Sequence, residues 1–248
     1  MTISDSGSKS TPPEGKSKPV FSTGRVLQTI GLVALVLASV FTLWNPYKLF
    51  TEDEAAQANQ AAISDEQAAT IGILVGHWKI DSGSVCENGI VEADVNEAIA
   101  NQISIKLNAL GYPVKLLSSN DLDLVNYRGP ALVALFCGSC DEQTGNKSGF
   151  TIGTTLSASD LNTSNALAVC MGEIYQSSTK LDFSYEIISP NHAAYSIFEM
   201  VNPQTPVIYL EMGSLFYDQS VLIENSEKVA NGIVNGILCF FDTLEGQP

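Results

Sequence analysis

The stretch "VLQTIGLVALVLASVFTLW", Val26 to Trp44, runs 19 residues without a charged side chain. At about 1.5 Å of rise per residue, a helix of that length covers the hydrocarbon core of a bilayer. The span therefore predicts a transmembrane helix. Trp44 and Tyr47 fall where aromatic side chains favour the membrane interface. A cleaved signal peptide carries a shorter apolar core, about 7–15 residues, and no small-x-small cleavage site precedes Asn45-Pro46. Lys9, Lys16, Lys18 and Arg25 lie before the span, and only Lys48 lies just after it. Positive charge stays on the cytoplasmic side. The expectation is a single-pass membrane protein, N-terminus in the cytoplasm and residues 45–248 outside.

The span divides the chain. Residues 1–25 are rich in Ser, Pro, Gly and Lys, a composition that does not bury a core; a disordered cytoplasmic tail is expected. Residues 45–70, polar and Ala-rich, read as a tether. The folded domain is expected over residues 71–248. That domain carries the acidity: after Lys48 there are 7 basic against 25 acidic side chains, and the whole chain has a net charge of -15. Such a surface repels phosphate backbones, so no nucleic-acid partner is expected. It also disfavours electrostatic adhesion of the domain to anionic lipid.

Within the domain apolar runs alternate with helical patterns. "IGILV", "PVKLL", "ALVALF" and "PVIYLEMG" read as buried strands. From Glu92, the residues Val95, Ile99, Ile103 and Leu107 recur every four positions, the stripe of an amphipathic helix. Glu92 and Asp94 favour its first turn, and Gly111 its end. "ALAVCMGEI" suits strand or helix. "HAAYSIFEMV" reads as helix, and residues 219–244 as a closing helix with Val221, Val229, Ile233 and Ile237 on one stripe. The fold class is α/β, a mostly parallel sheet flanked by helices. Functional residues of such sheets lie beyond the carboxyl ends of the strands. His77, Cys137 and Glu211 each read as standing at or past such an end.

Five cysteines, Cys86, Cys137, Cys140, Cys170 and Cys239, follow the span. Outside the cytoplasm thiols pair, and an odd number leaves at least one over. Cys137-x-x-Cys140 is a redox motif only in a thioredoxin-like context, where it starts a helix. Here it follows a strand, so structural disulfides are the better reading. His77 and His192 are the chain's 2 histidines. A histidine after a strand is most often structural, and Glu92 alone is an ordinary first-turn charge. Glu211 demands more explanation, because a carboxylate closing an apolar strand needs a partner or a metal.

The order Gly76, His77, Asp81, Gly83, then Gly89, Glu92, Asp94, Val95, Asn96 resembles the opening motifs of the zinc-dependent N-acetylmuramoyl-L-alanine amidases, which cleave cell walls. "TPVIYLEMGSLFYDQSVLIENSEKVANGIVNGILCFF" resembles that family's end, and the likeness spans about residues 71–241. The resemblance implies zinc as cofactor, peptidoglycan as substrate, His77 and Glu92 as zinc ligands and Glu211 as general base. The bond cut would be the amide joining the lactyl group of N-acetylmuramic acid to L-alanine. Two departures matter. The third ligand of the family, a histidine at a strand end, falls here on Phe136, or on Cys137 with a slip of one. The pair of glycines after the first histidine is replaced by Trp78 and Lys79. A catalytic zinc takes three protein ligands plus water. Cys137, His192 or, failing these, Asp81 or Glu87 would have to complete the site. The alternative is an inactive domain of the same fold that binds cell wall or a protein partner.

Overall fold

A computed structural model describes residues 32–36, 69–141, 147–155 and 161–245. The chain divides into two units, Met1–Ala56 and Gln57–Pro248. Of the first, only residues 32–36 are described, and they are helical. The predicted tail, most of the 26–44 span and most of the 45–70 tether lie outside the described residues. Among the described residues no helix is long and apolar enough to cross a membrane.

The second unit is built on one six-stranded sheet: β1 (Ile71–Val75), β2 (Val114–Leu117), β3 (Leu132–Gly138), β4 (Phe150–Thr154), β5 (Phe183–Ile187) and β6 (Val207–Ser214), in the order β2-β1-β3-β6-β4-β5. β2, β1, β3 and β6 run parallel. β4 is antiparallel to β6 and carries β5 with it, so the last two strands are reversed. Among the described residues the unit also holds four α-helices: α1 (Glu92–Ala109), α2 (Leu161–Thr179), α3 (Tyr195–Met200) and α4 (Ser226–Glu245).

Side chains along each central strand alternate between the sheet's two faces. Ile71, Ile73 and Val75 of β1 join Val133 and Leu135 of β3 on one face. There they meet Ile99, Ile103 and Leu107 of α1, Met171 and Tyr175 of α2, and Val229, Ile233 and Ile237 of α4. Leu74, Leu132 and Ala134 point to the other face. That face has a thinner cover: the 3-10 turn Leu122–Leu124, Tyr127, and the six-residue α3 with Ile197.

"ALAVCMGEI", which suits strand or helix, is helical, the middle of α2. Other expectations need correction. The segment around His192 is turn, and helix starts only at Tyr195. The closing segment is not one helix. Ser220–Glu224 forms a π-helical turn that ends at Asn225. The Asn225 side chain donates to the carbonyl of Ser220 at 2.8 Å, competing with the helical ladder. β6 does not stop at Glu211. It runs three residues further, so Glu211 lies inside the strand. Between Phe136 and Gly138 the register of β3 against β6 shifts, a bulge at the level of the site.

Candidate functional site

β1 ends at Val75, and the chain turns sharply over residues 76–80. A Cβ on Gly76 would lie 2.6 Å from the carbonyl oxygen of Leu135, so only glycine fits there. His77 and Lys79 both take left-handed backbone, with φ of 63° and 60°. An L side chain pays roughly 1–2 kcal/mol for this conformation. Lys79 stands where the resemblance expects glycine, which explains what glycine supplies at that position. The Lys79 ammonium lies over the Trp78 ring, 3.5 Å from its centre, a cation–π contact that recovers part of the cost.

This turn aims His77 across to α1. Nδ1 of His77 is 2.5 Å from Oδ1 of Asp81. Asp81 also accepts the Gly83 N–H at 2.8 Å. That backbone bond first, and His77 second, hold the Asp81 carboxyl below its ordinary range. The other ring nitrogen, Nε2, is 3.5 Å from Oε1 of Glu92. Glu92 is only 3% exposed. It is tolerated there because Oε1 accepts the Cys137 N–H at 3.1 Å and Oε2 the Ser84 N–H at 3.0 Å. Gly83, at φ 60°, closes the corner: a Cβ there would come within 2.7 Å of both Glu92 and the His77 ring.

Two atoms bound to one tetrahedral zinc at about 2.1 Å stand roughly 3.4 Å apart. His77 and Glu92 have that spacing, and Asp81 behind His77 is the usual support for a ligating imidazole. Among the described residues no third donor stands with these two. The expected position holds Phe136, whose ring meets His77 edge-on at 5.8 Å. Cys137 is buried, and its thiol donates to Oδ1 of Asn96 at 3.2 Å. Burial, then the nearby Glu92 and Glu211, push the Cys137 thiol well above its ordinary range. Zinc binds thiolate, whereas here the Cys137 thiol proton is engaged by Asn96. His192 has its Nδ1 engaged by the Ala194 N–H at 3.1 Å. Glu87 borders a different depression, beside Cys86 and Cys140. Among the described residues no group of three His, Cys, Asp or Glu side chains is placed to hold a metal ion. The donor set does not fit a resident catalytic zinc.

Glu211 pairs in register with Phe136 and so shares its sheet face. Its Oε2 accepts the Tyr209 hydroxyl at 3.4 Å. Burial chiefly, with Glu92 and Glu186 adding, raises the Glu211 carboxyl above its ordinary value, although the Tyr209 bond opposes this. The structure thus brings His77 and Glu92 together at the end of β1 and sets Glu211 two strands away on β6, held by Tyr209.

A cleft of about 390 Å³ opens over this thin face, lined by His77, Glu92, Phe136, Tyr209 and His192 among others. The rings His77, Phe136, Tyr209 and His192 touch in succession, the last two pairs at 5.2 and 5.1 Å. Sequence reasoning did not find Tyr209, and it placed Asn96 in the motif without giving it a role. Asn96 is fully buried, donates to the carbonyl of Gly76 at 3.1 Å and accepts from Cys137. A polar residue on the buried stripe of α1 was the available signal. Two disulfides, Cys86–Cys140 and Cys170–Cys239, use four cysteines, and Cys137 is free. The first ties the loop before Glu92 to the end of β3.

The sequence profile described as N-acetylmuramoyl-L-alanine amidase matches residues 71–239. No curated protein matches the sequence. Solved structures do. An N-acetylmuramoyl-L-alanine amidase from Clostridium difficile 630 superposes with a TM-score of 0.58 at 22% identity, over 71% of this chain and 98% of that one. The CwlD amidase from Clostridioides difficile, solved in complex with the GerS lipoprotein, gives 0.58 at 19%, over 71% and 100%. AmiC2 of Nostoc punctiforme gives 0.55 at 19%, over 71% and 98%. At these identities the likeness establishes the fold.

Proposed function

The chain belongs to the N-acetylmuramoyl-L-alanine amidase family, and from that premise we propose a membrane-anchored, extracytoplasmic domain that binds the peptide stem of peptidoglycan without hydrolysing it. The observation that carries this reading is Phe136 beside His77, where the resemblance places the third ligand. Beside it His77 and Glu92 keep the spacing of two ligands, and among the described residues no third donor joins them. A bound zinc would polarise the scissile carbonyl and activate water; two protein ligands rarely hold one. What remains is a cleft with an aromatic wall and carboxylates as hydrogen-bond acceptors, suited to amide N–H groups and small apolar side chains of a peptide. Anchoring rests on the uncharged 26–44 span and its basic flank.

The spacing of His77 and Glu92, with Asp81 behind, favours a second reading: hydrolysis retained, with a ligand from elsewhere. Three measurements on the full chain in detergent separate the two. They are zinc per chain by elemental analysis, release of stem peptides from purified cell wall, and retention on insoluble peptidoglycan. The binding reading expects little zinc, no release and retention. Stem release that disappears in His77→Ala and Glu92→Ala would overturn it. Phe136→His restores the expected donor, so zinc content should rise toward one per chain. Digestion of the domain by protease added to cells with an opened outer envelope but an intact cytoplasmic membrane tests the orientation.

A further inference from the structure

We propose that His192 is a fixed hydrogen-bond donor of the cleft, offering Nε2–H to an amide carbonyl of the bound peptide stem; this rests on the binding reading above. The argument begins with the tautomer. The Ala194 backbone N–H donates to Nδ1 of His192 at 3.1 Å, so Nδ1 presents its lone pair. A neutral imidazole has one proton, which must then sit on Nε2. A metal ligand binding through Nε2 needs the opposite arrangement, with the proton on Nδ1 and usually a second acceptor beyond it. His77 has that arrangement, its Nδ1 facing Asp81. The chain's two histidines are thus held in opposite senses, one as an acceptor at Nε2 and the other as a donor.

The donor is also available. His192 lines the cleft, and its Nε2 makes no hydrogen bond to a described residue. No buried side-chain nitrogen or oxygen among the described residues lacks a partner. The half-buried His192 therefore leaves Nε2 within reach of solvent, or of a ligand that replaces it. The ring is braced edge-on against Tyr209 at 5.1 Å, and the Ala194 bond limits its rotation. Charge selects the acceptor. Asp81 and Glu92 line the same cleft. A ligand carboxylate would meet these anions, whereas a neutral amide carbonyl would not.

The test uses the full chain in detergent micelles with ¹⁵N-labelled histidine. With two histidines in the sequence, the long-range ¹H–¹⁵N spectrum holds two rings, and His192→Gln assigns them. The expected result is a neutral Nε2–H ring for His192, whose Nε2–H signal moves on adding an N-acetylmuramoyl dipeptide but not N-acetylmuramic acid, which keeps the acetamido group and lacks the amides of the peptide stem. His192→Ala should weaken dipeptide binding about threefold to tenfold. His192→Gln, which keeps a donor, should recover most of it, with both variants melting like the wild type. An Nδ1–H ring overturns the inference, as does wild-type affinity in His192→Ala; in both cases retention on peptidoglycan would leave the binding reading standing. A wild-type chain that neither binds peptidoglycan nor shifts with the dipeptide overturns both.

Discussion

The two faces of the sheet are built to different ends. One carries three helices of 18 to 20 residues and the larger apolar cluster, with Cys170–Cys239 linking α2 to α4. The other carries a 3-10 turn, loops and a six-residue helix, and it holds the cleft. The same strands serve both, since alternate residues point opposite ways. Leu135 and Cys137 enter the packed face while Phe136, between them, faces His77. A site needs open surface, and the thin face supplies it at the expense of apolar burial.

The largest effect should come from emptying equal side chains on the two faces. Ile233 of α4 and Ile197 of α3 are both buried. Replacing a buried isoleucine by alanine costs about 2–5 kcal/mol, more where the surroundings cannot collapse. Ile233→Ala, inside the helical layer, should fall at the upper end. Ile197→Ala should fall at the lower end, because α3 borders open cleft and can settle. Urea unfolding midpoints measure both. Equal losses would show that the thin face is packed as rigidly as the thick one.

The disulfides offer a sharper contrast. Their sequence separations are 54 and 69. Loop-closure entropy then makes each worth about 4 kcal/mol, with a difference of only about 0.2 kcal/mol between them. Cys86→Ser with Cys140→Ser, and Cys170→Ser with Cys239→Ser, should therefore lose similar stability. Only the first pair should also weaken retention on peptidoglycan. It frees the loop that carries Ser84, and Ser84 is hydrogen-bonded to Glu92. Loss of retention in the second pair instead would place the bound surface on the packed face.

These contrasts also show what the sequence could disclose. α1 was legible because Ile99, Ile103 and Leu107 form one stripe on a thick layer. β1 and β6 were legible as unbroken apolar runs. β4 and β5 were not, since they lie at the sheet's reversed edge. β5 is exposed along its whole length, so its alternation of Phe183, Tyr185 and Ile187 did not stand out from a loop. The pairing of His77 with Glu92 followed the motif order. His192 was a candidate for the site, but its contact with Tyr209 was not legible, because nothing in their local pattern says that a turn before α3 meets the middle of β6.

A smaller effect should come from the turn that carries His77. Lys79→Gly relieves the left-handed backbone but gives the unfolded chain more freedom, and it loses the contact with Trp78. The gain should be about 0.5–1 kcal/mol, read as a higher melting temperature. A comparable loss would mean that Lys79 over Trp78 contributes more than the strain removes.

The smallest effect concerns proton binding, and it again sets one face against the other. On the thin face burial raises the Glu211 carboxyl above its ordinary value of 4.5. On the packed face burial raises the Cys137 thiol above its ordinary value of 9.0. In both, the folded state holds a proton that the unfolded state releases. Each group's contribution is therefore full below its unfolded pKa and is lost as pH rises through the folded one. Glu211 should act in the window that opens above pH 4.5, and Cys137 only above pH 9. Glu211→Gln removes the first titration. Its stability relative to wild type should improve as pH rises from 4 to 7, and the two proteins should converge at the acid end. Cys137→Ala should leave the pH dependence below 8 unchanged. If Glu211→Gln instead lost ground with rising pH, an uncompensated cation would have to face Glu211 across the cleft, and the acidic character assigned to the thin face would be wrong.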